Sequence, residues 1–376
     1  MRAILFAGKG VSKTAVAAAT AVLSAESGHK TLLISTDPNR CLSACFDMHL
    51  SSVPDKLANN LYGLEINEVT LHAEMEKWKY MMEYVTGVSS SGSGIGSEVA
   101  LEQIIRGGIK DLSGIVKMGE YSRDKRFDVC ILDATLGDPL IGFLTIPYSA
   151  DWYMKKYFRK IRRLSRLAGL FNWFLSIPTP PDKVFDNIEE LYERLKWAKN
   201  ALSDSHYGSV RLTTDSDKFS VRDARQFLSF LNLFDFRTDL VTANEVCGNG
   251  AERREEIESS FSPIPVSYIE LDEMPAGVKQ LKQVAKAVYG KHDPTRVFCK
   301  DKFFEVMEKD GGYVLSINAN FEDKQLEKKI LLSKDGNELI VEAGKRRLII
   351  GLPYVLSASE PKKAVIEHGR LIVRFG

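Results

Sequence analysis

Cysteine is scarce in this sequence: there are five in 376 residues, at positions 41, 45, 130, 247 and 299, and no two form a C-x-x-C pair. That excludes a disulfide-stapled scaffold and fits thiols kept reduced. Nor does one sign of charge dominate. Lys and Arg number 51 against 50 Asp and Glu, a formal net charge of +1, so no global field recruits nucleic acid or anionic lipid. A charged partner has to be met by a local patch. Long apolar runs are missing as well, since nothing approaches the roughly 18 residues of a membrane-spanning helix. The opening stretch Ala3 to Ala7 is short for a signal peptide and runs straight into a glycine turn. A cytoplasmic chain is expected, with no transmembrane segment and no sequence-specific nucleic acid partner.

What is present is ordinary globular composition, 44% apolar and 27% charged, at a length that suggests about two or three domains. Short strand-like apolar runs alternate with helical stretches: Ala3 to Ala7, Thr31 to Ser35, Phe127 to Asp133, Val210 to Thr214, Leu240 to Val246 and Pro265 to Leu271. That alternation predicts an α/β fold, a mostly parallel doubly wound sheet with helices on both faces. Ala15 to Glu26 reads as the first helix and Gly28 as its stop. From Phe303 the texture changes to short alternating strands with turns at Asp335-Gly336-Asn337 and His368-Gly369-Arg370, so a small all-β sandwich is expected over 303–376. The first domain would span 1–294 and a linker 295–302. Ser89 to Ser97 reads as a mobile loop, and Lys155 to Arg166 as one amphipathic basic helix, either a solvated packed helix or a surface for a membrane, nucleic acid or an acidic client.

The chemistry gathers where the first strand ends. Gly8-Lys9-Gly10-Val11-Ser12-Lys13-Thr14 precedes an alanine-rich helix. A phosphate loop needs glycines, a lysine for phosphate charge, a hydroxyl for magnesium and a helix N-terminus behind them. The residue types fit, although the spacing from Gly8 to Lys13 is one residue short of the usual signature. An ordinary glycine-rich turn is the alternative. Ser35-Thr36-Asp37-Pro38 ends the second strand, where doubly wound sheets place ligand contacts. Phe127 to Asp133 is an apolar strand ending in a carboxylate, the arrangement that holds a magnesium-bound water.

These three segments resemble the arsenical-pump ATPases (ArsA) and the related ATPases that target tail-anchored membrane proteins. The family's loop reads G-K-G-G-V-G-K-T, its second segment S-T-D-P-A-H-[SN]-L-S-D-A-F against STDPNRCLSACF here, and its third D-T-A-P-T-G-H-x-L-R-x-L-x-x-P against DATLGDPLIGFLTIP. The resemblance extends through Val241-Thr242-Ala243-Asn244 and to residue 294. It implies a P-loop NTPase with ATP and Mg2+ as cofactors and a homodimer as the working unit. Gly8, Lys9, Gly10, Val11, Ser12, Lys13 and Thr14 would bind nucleotide, and Lys9 would reach the partner's phosphates. Thr14 and Asp133 would serve magnesium, Asp37 would join Lys9 and Asp133 as catalytic residues, and Asn244 would read the adenine edge. Lys9 as a solvated loop lysine and Asn244 as a strand-end cap stay open. The family's water-positioning aspartate falls on Ala44, and its third motif is rewritten from Ala134 to Pro139. The implied protein is a dimeric ATPase of weak or impaired hydrolysis that couples nucleotide state to a hydrophobic client. A non-hydrolysing scaffold or holdase and an anion or metalloid transport subunit are the alternatives; Cys41 and Cys45 could share a helix face, but buried thiols are the plainer reading. The C-terminal strands resemble an α-crystallin domain, on Leu339 to Glu342, Arg346 to Pro353 and Ala364 to Phe375. They lack an I-x-I tail before Gly376, so large oligomers are not implied.

Overall fold

Apolar side chains fill both faces of the first strand. In β1 (Arg2–Gly8), Ala3, Leu5 and Ala7 join one buried cluster while Ile4 and Phe6 join another. Alternate residues of a strand point to opposite faces, so such a strand needs cover on both sides. The computed structural model places it there. The structure describes residues 1–8, 11–37, 40–66, 95–135, 138–170, 182–204, 206–245, 251–301, 304–309, 312–318, 330–343, 346–352, 354–367 and 370–376.

Among the described residues the main sheet has eight strands, in the order β3-β4-β2-β5-β1-β6-β7-β8. These are β2 (Thr31–Ser35), β3 (Asp55–Ala58), β4 (Leu61–Glu65), β5 (Val129–Thr135), β6 (Gly208–Asp215), β7 (Thr238–Asn244) and β8 (Val266–Ile269). Only β3 with β4 is antiparallel. The chain builds leftward from β1 to β2 and later rightward to β6, so the direction reverses at β1, whose carboxyl end is where such sheets bind ligands.

On one face lie α1 (Val11–Glu26), α2 (Cys41–Phe46) and α9 (Gly277–Tyr289). Ala15, Ala17, Ala18, Ala19 and Ala21 of α1 are fully buried, and side chains this small let the helix lie close between the sheet and α9. On the other face lie α3 (Ile95–Asp124), α6 (Asp182–Ser203) and α7 (Lys218–Leu233). Between these, α4 (Asp138–Tyr153) runs through a π-helical turn at Met154–Phe158 into α5 (Arg159–Leu170), and α8 (Ala251–Phe261) follows β7. No helix among the described residues is long and apolar enough to cross a membrane.

Two expectations are corrected here. The loop expected over Ser89 to Ser97 ends sooner: Ile95 to Ser97 open α3, and the rest lies outside the described residues. The basic segment is not one uniform α-helix: Lys155 to Phe158 lie in the π turn and Arg159 to Arg166 in α5, and its charge is partly neutralised. Arg162 meets Asp182, Asp186 and Glu189 of α6, and Arg166 meets Asp182. The acids lie too far along the chain for a local reading of charge to pair them.

The C-terminal residues form two antiparallel sheets, β14-β15-β10-β9 and β11-β12-β13. Their strands are β9 (Phe304–Lys309), β10 (Gly312–Asn318), β11 (Ile330–Asp335), β12 (Glu338–Ala343), β13 (Arg346–Gly351), β14 (Pro361–Glu367) and β15 (Arg370–Phe375), with a short helix α10 (Tyr354–Ser357). Gly336 makes the β11–β12 turn at φ 57°, as Asp-Gly-Asn predicts. These sheets are not a free appendage. Leu339, Val341, Ile350 and Leu352 share one apolar cluster with Phe227, Leu228 and Leu231 of α7. Arg222 and Arg225 reach Glu338, and the Ser229 hydroxyl donates to the Gly351 carbonyl.

Candidate functional site

At the carboxyl end of β1, Gly8 lies between Thr135 of β5 and Thr213 of β6. Glycine is required there. A Cβ would sit 1.9 Å from the Thr213 hydroxyl and 2.5 Å from its carbonyl oxygen. The chain then turns into α1, whose first residues carry Ser12, Lys13 and Thr14 beneath the surface.

The Lys13 and Thr14 side chains converge on Asp133, which is fully buried at the end of β5. The Lys13 ammonium is paired with Asp133 Oδ1 and lies 3.3 Å from Thr14 Oγ1. Thr14 Oγ1 donates to Asp133 Oδ2 at 2.8 Å, and Ser35 Oγ donates to the same oxygen at 2.9 Å. One carboxylate thus gathers an ammonium and two hydroxyls from β2 and α1. Parallel register explains it, because Ser35 and Asp133 are directly opposite, level with Phe6 of β1 and one pair of residues before Gly8 and Thr135.

The groups present fit a magnesium-bound phosphate. Ser12 Oγ is buried with no hydrogen-bond partner among the described residues, as is Thr213 Oγ1 across from Gly8. Buried hydroxyls left unpaired are uncommon and call for an acceptor or donor from outside. Thr14 Oγ1, Ser35 Oγ and the Asp133 carboxylate are hard oxygens, the kind magnesium takes in ones and twos while phosphate and water complete its shell. Lys13 at the start of a helix adds charge where the helix dipole already favours an anion.

Other expected residues are nearby. Asp37 is half-buried beyond β2, its amide donating to Ser35 Oγ at 3.2 Å, with the Cys41 thiol beside its carboxylate. Lys9 and Gly10 lie outside the described residues, and of Val11 only the helical backbone is described. Asn244 ends β7 on the same carboxyl edge. Its Nδ2 donates to the Leu271 carbonyl at 3.1 Å and its Oδ1 accepts from the Leu271 amide at 2.9 Å, so the side chain closes the strand end. Ala44 is exposed on α2. Its neighbour Ser43 is held by Glu65, a buried carboxylate at the end of β4, through both amide (3.0 Å) and hydroxyl. Burial pushes the Cys41 thiol up to about 11 and the Cys45 thiol up to about 12, so neither is a thiolate near neutrality, and thiolate is the form that captures soft metals.

One residue packed behind the site was missed in the sequence. Asp111 of α3 is 5% exposed and accepts from Thr36 Oγ1 at 2.6 Å. A signal existed: Asp111 falls in helical register with Ile115 and Met118, both fully buried, so a carboxylate stands on the apolar stripe.

Comparison with known proteins gives two domain matches. The model of the anion-transporting ATPase family matches residues 1–290, and that of the HSP20-like domain found in ArsA matches 310–375. The chain is 30% identical over 397 residues to a protein of Prosthecochloris vibrioformis named "Putative arsenical pump-driving ATPase", covering 100% of this chain and 96% of that one. It is equally 30% identical over 401 residues to the "Putative arsenical pump-driving ATPase 1" of Aquifex aeolicus, covering 99% of each. Similarity to "ATPase GET3C" of Arabidopsis thaliana is 26% over 216 residues, 53% of this chain and 55% of that one.

Proposed function

The chain belongs to the anion-transporting (ArsA) ATPase family, and on that premise we propose that it is a magnesium-dependent, homodimeric ATP-binding protein with slow hydrolysis, which couples nucleotide state to capture of a hydrophobic client. The convergence of Lys13, Thr14 and Ser35 on Asp133, beside the unpartnered Ser12 hydroxyl, carries this reading.

Lys13, released from Asp133, neutralises phosphate oxygens. Thr14 Oγ1 and the Asp133 carboxylate would hold magnesium and its water, and the ion would supply positive charge to the phosphates. Gly8, lacking a Cβ, lets the end of β1 lie directly against Thr213. By resemblance to the family, Lys9, outside the described residues, would supply charge in trans to the partner's phosphates. Slow turnover follows from Ala44, which has no group to orient or deprotonate water. The same residue favours a second reading, a scaffold that binds nucleotide without turning it over. Transport of a soft metalloid is less supported, because Cys41 is half-buried and Cys45 buried on a short helix, a setting that suits packed thiols.

Calorimetric titration with ATP and magnesium, followed by phosphate release, tests this. The wild type should bind, and Lys13→Ala should weaken binding by at least about tenfold. Ala44→Asp should raise the release rate by roughly 10- to 100-fold. Absence of binding by the wild type would sink both readings; binding without release would leave the scaffold.

A further inference from the structure

Two segments frame the site: the end of β2, which leads to Asp37, and the end of β5, which carries Asp133 and leads into the rewritten third motif. Each has its own helix to follow, and nothing in parallel pairing alone obliges them to move together beyond Ser35 and Asp133, the last paired residues. A third element spans both. On α3, Gly114 lets the helix press down on this edge; a Cβ there would meet Thr36 Cγ2 at 2.4 Å and Leu132 Cδ1 at 2.9 Å. One turn earlier, on the same face, Asp111 projects into the gap between the strand ends. Its Oδ1 accepts from Thr36 Oγ1 at 2.6 Å and from the Thr135 amide at 3.4 Å. Thr36 is itself joined to β5, its amide donating to the Asp133 carbonyl at 3.0 Å.

Resting on the nucleotide reading above, we infer that Asp111 is a positioning residue: a buried carboxylate that clasps the end of β2 to the end of β5, so that the two nucleotide-facing segments respond as one unit. The physical reason is the cost of an undersatisfied charge. Asp111 draws one donor from each segment, and displacing either alone leaves a buried carboxylate short of a partner. Displacing both together, with α3, keeps both bonds. A neutral apolar side chain at this stripe position would pack α3 without linking the segments. Lys13 and Asp133 also act electrostatically on Asp111 from α1 and β5, so the clasp lies within reach of the charges that nucleotide would rearrange.

The test is hydrogen exchange on the full chain, free and with magnesium and a non-hydrolysable ATP analogue, following peptides 33–37 and 131–135. In the wild type, the analogue should protect both peptides. Asp111→Ala should keep analogue affinity within about twofold, keep protection of 131–135, and exchange about tenfold faster at 33–37 in the bound state. Asp111→Asn, whose amide oxygen can accept from both Thr36 and Thr135, should restore joint protection. Equal protection of both peptides in Asp111→Ala would overturn the inference, as would equal loss of protection and affinity together, since that is a merely structural role. If the wild type binds no analogue, the nucleotide reading fails, and the free proteins decide the clasp. Faster exchange at both peptides in Asp111→Ala but not in Asp111→Asn supports it, and a change at one peptide or neither overturns it.

Discussion

Removing the Lys13 ammonium should strongly destabilise the nucleotide-free protein, well beyond a typical side-chain truncation. Lys13 is 2% exposed and Asp133 0%, and they are paired directly. Lys13→Met keeps most of the apolar stem, so packing changes little, and Thr14 Oγ1 (2.8 Å) and Ser35 Oγ (2.9 Å) still donate to the carboxylate. What disappears is the only opposite charge paired with Asp133 among the described residues. Breaking a buried pair by removing one partner costs about 3 to 5 kcal/mol, because the other charge stays uncompensated. Asp133→Asn should cost a similar amount, leaving a buried ammonium with Thr14. The double variant, with neither charge, should cost no more than about 1 to 2 kcal/mol, so the cycle yields a coupling of several kcal/mol. Guanidinium unfolding in phosphate-free buffer, with hydrogen exchange on β5 as a second probe, measures all four proteins. If Lys13→Met costs less than about 1 kcal/mol, or if the single costs add up to the double, the ammonium does not sit on Asp133 and the site described here is wrong.

Two further outcomes follow from neighbouring residues. Asp111 has its carboxyl pushed up to about 6, chiefly by burial, against an ordinary value near 3.8. A raised carboxyl favours the folded state fully below the unfolded value and loses that contribution as pH rises through the folded one. Asp111→Asn should therefore gain up to about 3 kcal/mol relative to wild type on going from pH 4 to pH 8, measured as paired unfolding curves; a difference independent of pH would contradict the burial of this carboxyl. Gly8→Ala places a methyl against the Thr213 carbonyl oxygen at 2.5 Å, which is backbone and cannot swing away. It should destabilise by about 1 to 3 kcal/mol and abolish nucleotide binding, and calorimetry showing wild-type affinity would refute the close β1–β6 approach.

Much of the fold was legible because it depends on local pattern. The run Ala3 to Ala7 announces a strand buried on both faces, Ala15 to Ala21 a helix that can lie close, and Asp335-Gly336-Asn337 a hairpin. The ordered segments at 8–14, 35–46 and 133–147 marked the family and placed Lys13, Thr14 and Asp133 on one edge. The helix begins at Val11 rather than Ala15 because Ser12, Lys13 and Thr14 are already wound into its first turn.

Which group meets which was a different matter. Asp111 and Thr36 are 75 residues apart, and only the approach of α3 over Gly114 brings them within 2.6 Å. Asn244 carries the same side chain under either reading of the sequence, and it is Leu271, placed by β8, that engages its amide. Arg162 looked like part of a bare basic face until α6 set three acids beside it. Periodicity and turn chemistry are properties of neighbouring residues and survive in the unfolded chain as a pattern. Charge pairing across the sheet depends on strand register and helix approach, and these exist only once the layers have packed.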